Sequence, residues 1–533
     1  MSDPSGSTYD AVVVGAGPNG LVAANHLLDA GWSVLVLEAQ PEVGGAVRSA
    51  RDVHPDFVHD TFSSFYPLAK ASPVMGHLGL EEHGLRWRHA PAVLGHPTAD
   101  GEWALLHCDR ERTALGLDKQ HPGDGPAWLE LCERWDAIGD DLVGALMSPF
   151  PPVRSGLRLL TRLRAAGGLD LVRLLLTPAA DIGRTYFGGR SPGLLLCGNG
   201  GHADIPLDAT GSGLMAVLLA MLGQTVGFPV PEGGARELAR ALARRAESLG
   251  GVIRTSTRVT GIDVREGRAV AVRTEDGDRL PVGRAVLADV VAPRLFGDLV
   301  APEDLPERVR RGMRRFQLDP GTVKVDWALG GPVPWASPPE AAPGTVHVAD
   351  SVEQIAEASG QISAGTIPAA PFLLVGQMSV ADPTRSPPST EALWAYTHVP
   401  QQVMRDAGED GLQGTWDESE RERFADRMQA RIERLAPGFG ACIRARRVLG
   451  PRELEARDEN LVGGAINGGT SALHQQLLFR PVPGTGRAET GIGDLYLASA
   501  SAHPGGGVHG APGMNAARAA LAHDRTRRLL RRT

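Results

Sequence analysis

The feature that most constrains this chain is a strand, a glycine turn, a helix and a second strand near its amino-terminal end. Residues 10–24 read DAVVVGAGPNGLVAA, and residues 33–38 read SVLVLE. Gly15 permits a tight turn, Gly17 lets the backbone approach a pyrophosphate, and Gly20 lets the helix lie close to the sheet. The spacing predicts a Rossmann-type α/β unit that binds a dinucleotide; a glycine turn without a nucleotide is the alternative.

The start of the helix and the end of the second strand indicate which nucleotide fits. The first helical residues, Pro18, Asn19 and Gly20, lie at the positive end of the helix dipole, and the unpaired N–H groups of Asn19 and Gly20 can face the phosphates. Glu38 follows about 20 residues after the turn, where its carboxylate can accept both ribose hydroxyls. This acidic group disfavours the 2′-phosphate of NADP, and we place Ala39 in the same predicted site.

A second glycine turn separates FAD from NAD. Residues 41–49 read PEVGGAVRS and add Gly44, Gly45 and Arg48 close to the first turn. This pattern resembles the flavoprotein superfamily that contains amine oxidases, carotenoid desaturases and the dissociation inhibitors of small GTPases. The resemblance implies that Gly44 and Gly45 approach the FAD phosphates and ribityl chain, and that Arg48 lies beside them.

Composition excludes several other classes of protein. The chain has 533 residues, of which 42% are hydrophobic, enough for a large core and two closely joined domains. Its formal net charge of -8 gives no general attraction to nucleic acid, so no nucleic-acid partner is expected. The short polar start and the lack of an apolar run long enough to span a bilayer predict a cytoplasmic protein.

The cysteines show no pattern of redox or metal chemistry. They are Cys108, Cys132, Cys197 and Cys442. They form neither a CxxC nor a zinc pattern, so we expect neither a disulfide-reductase dithiol nor a metal site. Packing as small hydrophobes in a reducing cytoplasm is the expected role.

The chain is predicted to divide into two interleaved domains. The FAD-binding domain comprises residues 1–75, 226–295 and 486–533, and the substrate domain comprises residues 76–225 and 296–485. In the second of these FAD-binding segments, a helix with apolar spacing precedes short strands that end at about residue 290. This stretch resembles the β-meander of such flavoproteins, in which the backbone of Val259 meets the adenine.

The carboxy-terminal motif supplies the other half of the predicted flavin site. A strand over residues 495–498 runs into Gly505, Gly506, Gly507 and Val508, and a helix follows. This arrangement aims backbone donors at an anion, and a reduced flavin carries its negative charge at the pyrimidine end. We expect these four residues to hold the flavin ring and to favour the reduced, anionic cofactor; a merely flexible glycine loop is the alternative.

Four further segments narrow the family. They read DTFSSFYP (60–67), NLVGGA (460–465), FRPVP (479–483) and HPGGGVHG (503–510). Together with the amino-terminal motif, they resemble the phytoene-desaturase-related FAD-dependent oxidoreductases, and among them the branch called pyridine nucleotide-disulphide oxidoreductase domain-containing protein 2. The resemblance covers nearly the whole chain. It implies an amine-oxidase/desaturase-like fold, with a Rossmann-type FAD-binding domain interleaved with an α+β substrate domain.

Two residues are candidates for catalysis beside the flavin. Lys324 stands in an apolar strand, residues 321–329, and either points to water from an edge strand or has the role of a lysine in amine oxidases of this superfamily, bonded through water to the flavin N5. His503 lies beside the predicted flavin, where it either transfers a proton or holds the turn.

Residues 153–176 form a candidate surface for lipid. Arg154, Arg158 and Arg162 recur at four-residue spacing beside leucines. A cationic amphipathic helix of this kind can dock on anionic lipid and admit an apolar substrate. A helix that faces the core of the substrate domain is the favoured alternative.

The predicted function is FAD-dependent dehydrogenation of an apolar or polyene-like substrate by hydride transfer to flavin. Oxygen or a quinone is the expected electron acceptor, because only one nucleotide motif is visible. One alternative is a flavin-dependent saturase or isomerase of a lipid. The other is a non-enzymatic lipid escort of the GTPase dissociation inhibitor type.

Overall fold

Two large sheets hold most of the strands in the computed structural model, which describes residues 8–164 and 166–530. The strands are β1 (Tyr9–Val14), β2 (Val34–Leu37), β3 (Ser49–Ala50), β4 (His59–Asp60), β5 (Trp87–Arg88), β6 (Ala92–Pro97), β7 (Trp103–Leu106), β8 (Val230–Pro231), β9 (Val252–Arg254), β10 (Val259–Arg265), β11 (Arg268–Thr274), β12 (Arg279–Ala288), β13 (Gly321–Leu329), β14 (Pro343–Val348), β15 (Thr366–Ile367), β16 (Leu373–Gln377), β17 (Glu391–Val399), β18 (Arg405–Asp406), β19 (Ile443–Leu449) and β20 (Leu495–Leu497).

The first sheet joins strands from distant parts of the chain. Its parallel part has the order β20, β12, β1, β2 and β9, and β12 continues into an antiparallel meander with β11 and β10. Residues 11–14 and 34–37 are buried throughout, as expected of parallel strands covered on both faces. The strands predicted in three separated segments therefore lie in one sheet, while the domain bounds stay a prediction.

Helices cover both sheets. They are α1 (Pro18–Asp29), α2 (Pro67–Ala71), α3 (Pro73–Gly76), α4 (Arg110–Gln120), α5 (Asp124–Met147), α6 (Val153–Leu163), α7 (Leu169–Leu176), α8 (Ala179–Tyr186), α9 (Arg190–Gly200), α10 (Ser212–Thr225), α11 (Arg236–Ser248), α12 (Ala292–Arg294), α13 (Glu307–Met313), α14 (Val352–Ser363), α15 (Met378–Ala381), α16 (Glu418–Leu435), α17 (Phe439–Cys442), α18 (Pro451–Arg457) and α19 (Ala511–Leu530). Single 3₁₀ or π turns span Leu80–His83, Leu295–Leu299, Pro302–Asp304, Pro383–Arg385, Val462–Gly464, Leu473–Gln475 and Leu477–Phe479. α1 contacts α11, α19 and the first sheet, whereas α9 and α10 contact β6 and β7.

The second sheet has the order β19, β13, β17, β16, β14, β6 and β7. Neighbouring strands are antiparallel except for β14 and β6. Side chains alternate between the two faces of a strand. On β13, Val323, Val325 and Trp327 belong to the core beneath α16, so Lys324 and Asp326 point to the opposite face. That face borders the larger cavity described below.

Helix α6 lies on the surface with two different apolar faces. Leu159 and Leu163 pack against the core, in agreement with the favoured alternative. Val153, Leu157 and Leu160 are at least 60% exposed. The favoured alternative, a helix that faces the core, is therefore wrong for these three residues. In the part of the chain that the structure describes, no helix has the length and apolar character needed to cross a membrane.

The cysteines are unpaired, and two of them pack as expected. Cys132 and Cys197 are buried in the core around α5 and α9, and burial raises the pKa of both thiols to about 12. Cys108 is exposed, which contradicts the packing role expected for it.

Candidate active site

The first glycine turn closes around an aspartate that the sequence did not reveal. Asp289 follows β12 at the carboxyl edge of the first sheet, and its Oδ2 accepts the Gly20 N–H at 2.8 Å. A Cβ at Gly17 would lie 2.5 Å from the same oxygen, and a Cβ at Gly20 would collide with the Gly15 carbonyl oxygen. Asp289 therefore packs against Gly17 and Gly20 without room for a side chain at either position, while the approach of Gly17 to a pyrophosphate stays a prediction.

Three buried carboxyl groups surround the start of α1. Glu38 accepts the N–H groups of Ala16 at 2.7 Å and Gln40 at 2.8 Å, and burial raises its pKa. Burial raises the pKa of Asp289 to about 7, and the nearby charges of Asp458 and Glu38 add to this effect. Burial also raises the pKa of Asp458. This end of the site therefore disfavours further negative charge more strongly at high pH than at low pH.

The second glycine turn packs on the first. A Cβ at Gly45 would lie 3.2 Å from the Gly17 Cα. Arg48 is buried beside it, donates from Nε to the Gly45 carbonyl at 2.8 Å and from Nη2 to the Arg457 carbonyl, and lies over the Phe62 ring. The two motifs predicted from the sequence are therefore neighbours in space, and Arg48 is a cation held next to the carboxyl groups.

A groove connects these turns to the carboxy-terminal motif. A cavity of about 110 Å³ is lined by Gly17, Pro18, Asn19 and Gly45 at one end, and by Gly507 and Val508 at the other. A larger cavity of about 310 Å³ begins there. The two cavities share Ala46, Leu461, Ile466, Gly507 and Val508.

The groove fits FAD by its shape and its polar groups. The end at α1 carries backbone N–H groups at a helix start and a buried Asn19 side-chain oxygen that has no hydrogen-bond partner among the described residues. The loop of residues 503–508, here called the flavin loop, presents Gly506, Gly507 and Val508 to the larger cavity. A polar dinucleotide end and an extended path to an apolar chamber are what a bound flavin nucleotide requires.

Other predicted nucleotide residues lie around the first sheet. Ala39 is half-buried after Glu38. Val259 begins β10, two residues after Thr257, whose N–H donates to the Glu38 carbonyl at 2.8 Å. Both residues are thus close to the predicted ribose acceptor, and their contact with adenine stays a prediction.

The larger cavity has mostly apolar walls. Its apolar side chains come from the loop after β4, from α10, from β17 and from the segment 454–466: Phe62, Phe65, Leu68, Met215, Leu219, Phe228, Trp394, Leu454, Leu461 and Ile466. Among the described residues that line it, none is Asp or Glu. Its basic side chains are Lys324 and His202. Burial lowers the pKa of His202 to about 3, so this imidazole is neutral.

Lys324 faces this cavity. β13 lies between β19 and β17, and Lys324 is only 3% exposed, so the edge-strand alternative is wrong. Its Nζ donates to the Asp60 carbonyl at 2.9 Å and to the Asp326 carboxylate. Burial lowers the pKa of Lys324 against the attraction of Asp326, which raises it. Burial opposes the charge of Asp326, but Lys324 and Arg447 outweigh it and bring the pKa of Asp326 to about 2.

His503 lies apart from both cavities. It is buried, its Nε2 is 3.0 Å from the Ser148 carbonyl oxygen, and its Nδ1 has no hydrogen-bond partner within the described part of the chain. Its ring lies edge-on to Phe150. These contacts favour the role of holding the turn over that of transferring a proton.

Sequence reasoning missed several buried charged groups. Asp289 ends a strand at the sheet edge where ligands bind, which is a usable signal. Asp326 follows Lys324 by two residues, so strand alternation puts both on one face. Asp60 lies in one of the segments used for the resemblance, and its carboxylate pairs with the fully buried Arg385 at 3.0 Å. Only the fold shows that Asp60 and Lys324 meet.

Residues 19–325, more than half of the chain, match the family model described as flavin containing amine oxidoreductase. The chain belongs to this family. FAD is therefore its cofactor, and the protein is an FAD-dependent oxidoreductase.

Relatives of this amine oxidoreductase family member support the same conclusion. Pyridine nucleotide-disulfide oxidoreductase domain-containing protein 2 of Mus musculus is 28% identical over 96% of this chain and 92% of its own. A neurosporene-forming phytoene desaturase of Rhodobacter capsulatus is 26% identical over 55% of this chain and 53% of its own. The crystal structure of an oxidoreductase from Methanosarcina mazei matches with a TM-score of 0.59 at 14% identity, over 96% of this chain and 99% of its own. The resemblance and the fold class predicted from the sequence are confirmed.

Proposed function

We propose that this FAD-dependent oxidoreductase dehydrogenates a neutral, apolar substrate at a carbon–carbon bond. The observation that carries the proposal is the cavity of about 310 Å³, which meets the flavin loop with apolar and aromatic walls. Among the described residues that line the cavity, no Asp or Glu could pair with a cationic amine, and Lys324 lies in the same wall, so we assign the aromatic side chains of the cavity to a neutral substrate. The similarity to a phytoene desaturase supports the same substrate class.

The chain's residues hold the substrate while the cofactor accepts its hydrogen. Bound FAD would supply the redox chemistry by accepting a hydride from one carbon, while water in the cavity would accept the proton from the other carbon as the double bond forms. Oxygen or a quinone would later receive the two electrons. Gly15, Gly17 and Glu38 bind the adenosine diphosphate end, and Gly44, Gly45 and Arg48 bind the middle. The apolar walls exclude bulk water and orient the reacting bond.

Lys324 is the proposed polar group at the reacting centre. An ammonium group has three N–H donors. Two of them have partners in Asp60 and Asp326, which leaves one for a water molecule in the cavity. Asp326 accepts a hydrogen bond from Lys324, opposes the lowering of its pKa by burial, and fixes the direction of that third donor.

Apolar substrate requires a route into the cavity, and we propose a lipid surface as its source. Exposed apolar side chains occur at Leu176 and on one face of α6, and a second exposed cluster comprises Leu473 and residues 477–479. The Phe150 N–H, just before α6, donates to the Gly486 carbonyl at 3.2 Å, and Gly486 packs on Leu478. Ser471, two residues from Leu473, lines the cavity. Arg154 and Arg158 add exposed positive charge beside this surface.

The decisive experiment identifies the substrate class by flavin reduction. Purified protein is extracted for mass spectrometry of any co-purified ligand and is then mixed anaerobically with polyenes, with primary amines and with NADH or NADPH. We expect loss of the flavin absorbance at about 450 nm with an apolar polyene only. Rapid bleaching by an amine or by a nicotinamide would overturn the substrate class, and a colourless protein that cannot be loaded with FAD would overturn the site.

A further inference from the structure

We propose that Arg480 raises the reduction potential of the bound FAD from behind the flavin loop. The inference rests on the proposed placement of the flavin ring at this loop. It adds a residue that does not line either cavity and that acts through the loop, as a positioning residue.

Arg480 is a fully buried cation surrounded by carbonyl groups. It is 1% exposed and donates to the carbonyls of Asn467 at 2.8 Å, Thr470 at 2.9 Å, Ala500 at 2.7 Å and Gly469 at 3.3 Å. None of its partners among the described residues is a carboxylate. Burial lowers its pKa to about 10, so the guanidinium remains charged at neutral pH.

The balancing negative charge lies on the far side of a loop. Asp319 is also fully buried and accepts the N–H groups of Ile466 at 2.8 Å, Asn467 at 2.8 Å and Gly469 at 3.0 Å. The segment 466–470 thus turns its N–H groups to Asp319 and its carbonyls to Arg480. A buried guanidinium without a directly bonded counter-ion is costly. Asp319 and Asp204 are the negative charges that act on Arg480, and neither is hydrogen-bonded to it, so its field also reaches the groups on the other side of the carbonyls.

The flavin loop is what lies opposite. A Cβ at Gly505 would be 3.3 Å from the Arg480 Cζ, and a Cβ at Gly506 would be 2.6 Å from the Asn467 Oδ1. The next residues, Gly506 and Gly507, line the larger cavity. One layer of backbone therefore separates the guanidinium from the predicted flavin ring.

This geometry favours the reduced cofactor. Uptake of two electrons and one proton by FAD leaves one negative charge at the pyrimidine end of the ring. In a low-dielectric interior, a cation at this distance stabilises that charge much more than it would in water. The oxidised ring is neutral, so Arg480 changes its affinity little. The ratio of the affinities for reduced and oxidised FAD sets the difference between the reduction potentials of bound and free FAD.

The test measures the midpoint potential of the FAD-loaded protein in a dye-referenced reductive titration. In Arg480→Gln, we expect the preference for reduced over oxidised FAD to fall at least ~10-fold, which is about 30 mV for a two-electron couple. Asp319→Asn removes the opposing charge and should shift the potential the other way. Arg480→Lys keeps the charge with fewer hydrogen bonds and should stay within about threefold of the wild type.

Arg427→Gln is the matched control. Arg427 on α16 is a half-buried arginine that pairs with Asp406 at 2.8 Å, and it lines neither cavity. Its loss should lower stability and leave the potential unchanged. Equal reduction potentials in the wild type, Arg480→Gln and Asp319→Asn would overturn the inference and would mean that Arg480 only stabilises the loops that it contacts. If Arg480→Gln does not fold, the opposite shift in Asp319→Asn still decides. Failure of the wild type to bind FAD would instead count against the proposed function.

Discussion

The two ends of the groove handle charge in opposite ways. At the start of α1, the buried carboxyl groups of Glu38, Asp289 and Asp458 accept backbone N–H groups, and Arg48 is a cation held beside them. At the larger cavity, Lys324 is the cation in an apolar wall, and Asp326 beneath it carries the compensating charge.

The difference separates binding from chemistry. Backbone groups and short turns make up the first end, which suits a nucleotide that must be held in one place. The second end has bulky side chains from several elements and one strongly held ammonium group, which suits an apolar substrate beside a reacting centre. Substitutions at the first end should change FAD affinity, and substitutions at the second should change rates with FAD still bound.

The largest effect is expected from Glu38→Arg. This change places a cation against the N–H groups of Ala16 and Gln40 and removes the predicted ribose acceptor. We expect FAD to bind at least ~100-fold more weakly, or about 2.8 kcal/mol, in a fluorescence titration. Glu38→Gln keeps an acceptor oxygen and serves as the control, with a smaller loss. Full FAD occupancy in Glu38→Arg, or recovery of NAD instead of FAD, would contradict the assignment.

Variants of the proposed lipid surface on α6 test whether the larger cavity receives its substrate from a membrane. Replacing Arg154, Arg158 and Arg162 by Gln should lower co-sedimentation with anionic liposomes by about 30-fold, since Arg154 and Arg158 are expected to contribute about 1 kcal/mol each. Arg162 contributes least, because it pairs with Asp141 at 3.2 Å. Binding should weaken as salt screens the charges.

The matched control removes the same charge elsewhere. Arg308, Arg310 and Arg311 on α13 are exposed and lie outside the α6 surface. Their replacement by Gln should leave sedimentation unchanged. Equal loss in both triple variants would indicate a general charge effect, and no loss in the α6 variant would leave that helix without a lipid role.

Lys324→Met tests the second end directly. The change keeps the length of the side chain and removes its donors. We expect FAD to stay bound while reduction by substrate, or reoxidation by oxygen, slows at least ~10-fold, about 1.4 kcal/mol of barrier, in stopped-flow half-reactions. Lys70→Met is the control, because Lys70 is part-exposed and pairs with Glu81 at 3.8 Å. Unchanged half-reactions in a folded, FAD-loaded Lys324→Met protein would remove Lys324 from the mechanism.

The same division explains which features could be predicted from the sequence. Gly15, Gly17, Gly20 and Glu38 act within one strand–turn–helix–strand unit, so their spacing along the chain carries the signal. The β-meander and the flavin loop could be proposed from the sequence for the same reason, because each is one continuous run of residues. Asp458 was missed because nothing local marks it, and it meets the groove only through the packing of α18 against the second glycine turn.

At the second end, the alternatives for Lys324 could not be decided locally. The local sequence of an apolar strand with one lysine is the same whether the strand lies at the edge or in the middle of a sheet. The deciding partners are β19 and β17, more than sixty residues further along the chain. The prediction for α6 was incomplete for a related reason. The leucines of this helix divide between the core and the surface, and helical spacing alone does not show which face is covered.

The smallest effect, a pH dependence, is expected from Asp289→Asn. The pKa of Asp289 is raised to about 7 in the folded protein, above its ordinary value, mainly by burial and further by Asp458 and Glu38. A raised pKa favours folding at low pH, and this contribution is lost as the pH rises from about 4 through 7. Asparagine keeps an oxygen for the Gly20 N–H and never becomes charged. The variant's free energy of unfolding should therefore fall less between about pH 5 and about pH 8 than that of the wild type.

The FAD affinity should show the same sign. The pyrophosphate is an anion, and ionised Asp289 would repel it at the turn that also holds Glu38 and Asp458, with Arg48 as the opposing charge. Wild-type affinity should drop about threefold or more from about pH 6 to about pH 8, and Asp289→Asn should reduce that drop to the part that Glu38 and Asp458 still cause. Both are measured by FAD fluorescence titration and chemical unfolding. A pH profile identical in the two proteins would place the pyrophosphate away from Asp289, and would leave the contrast between the two ends resting on Glu38 and Lys324.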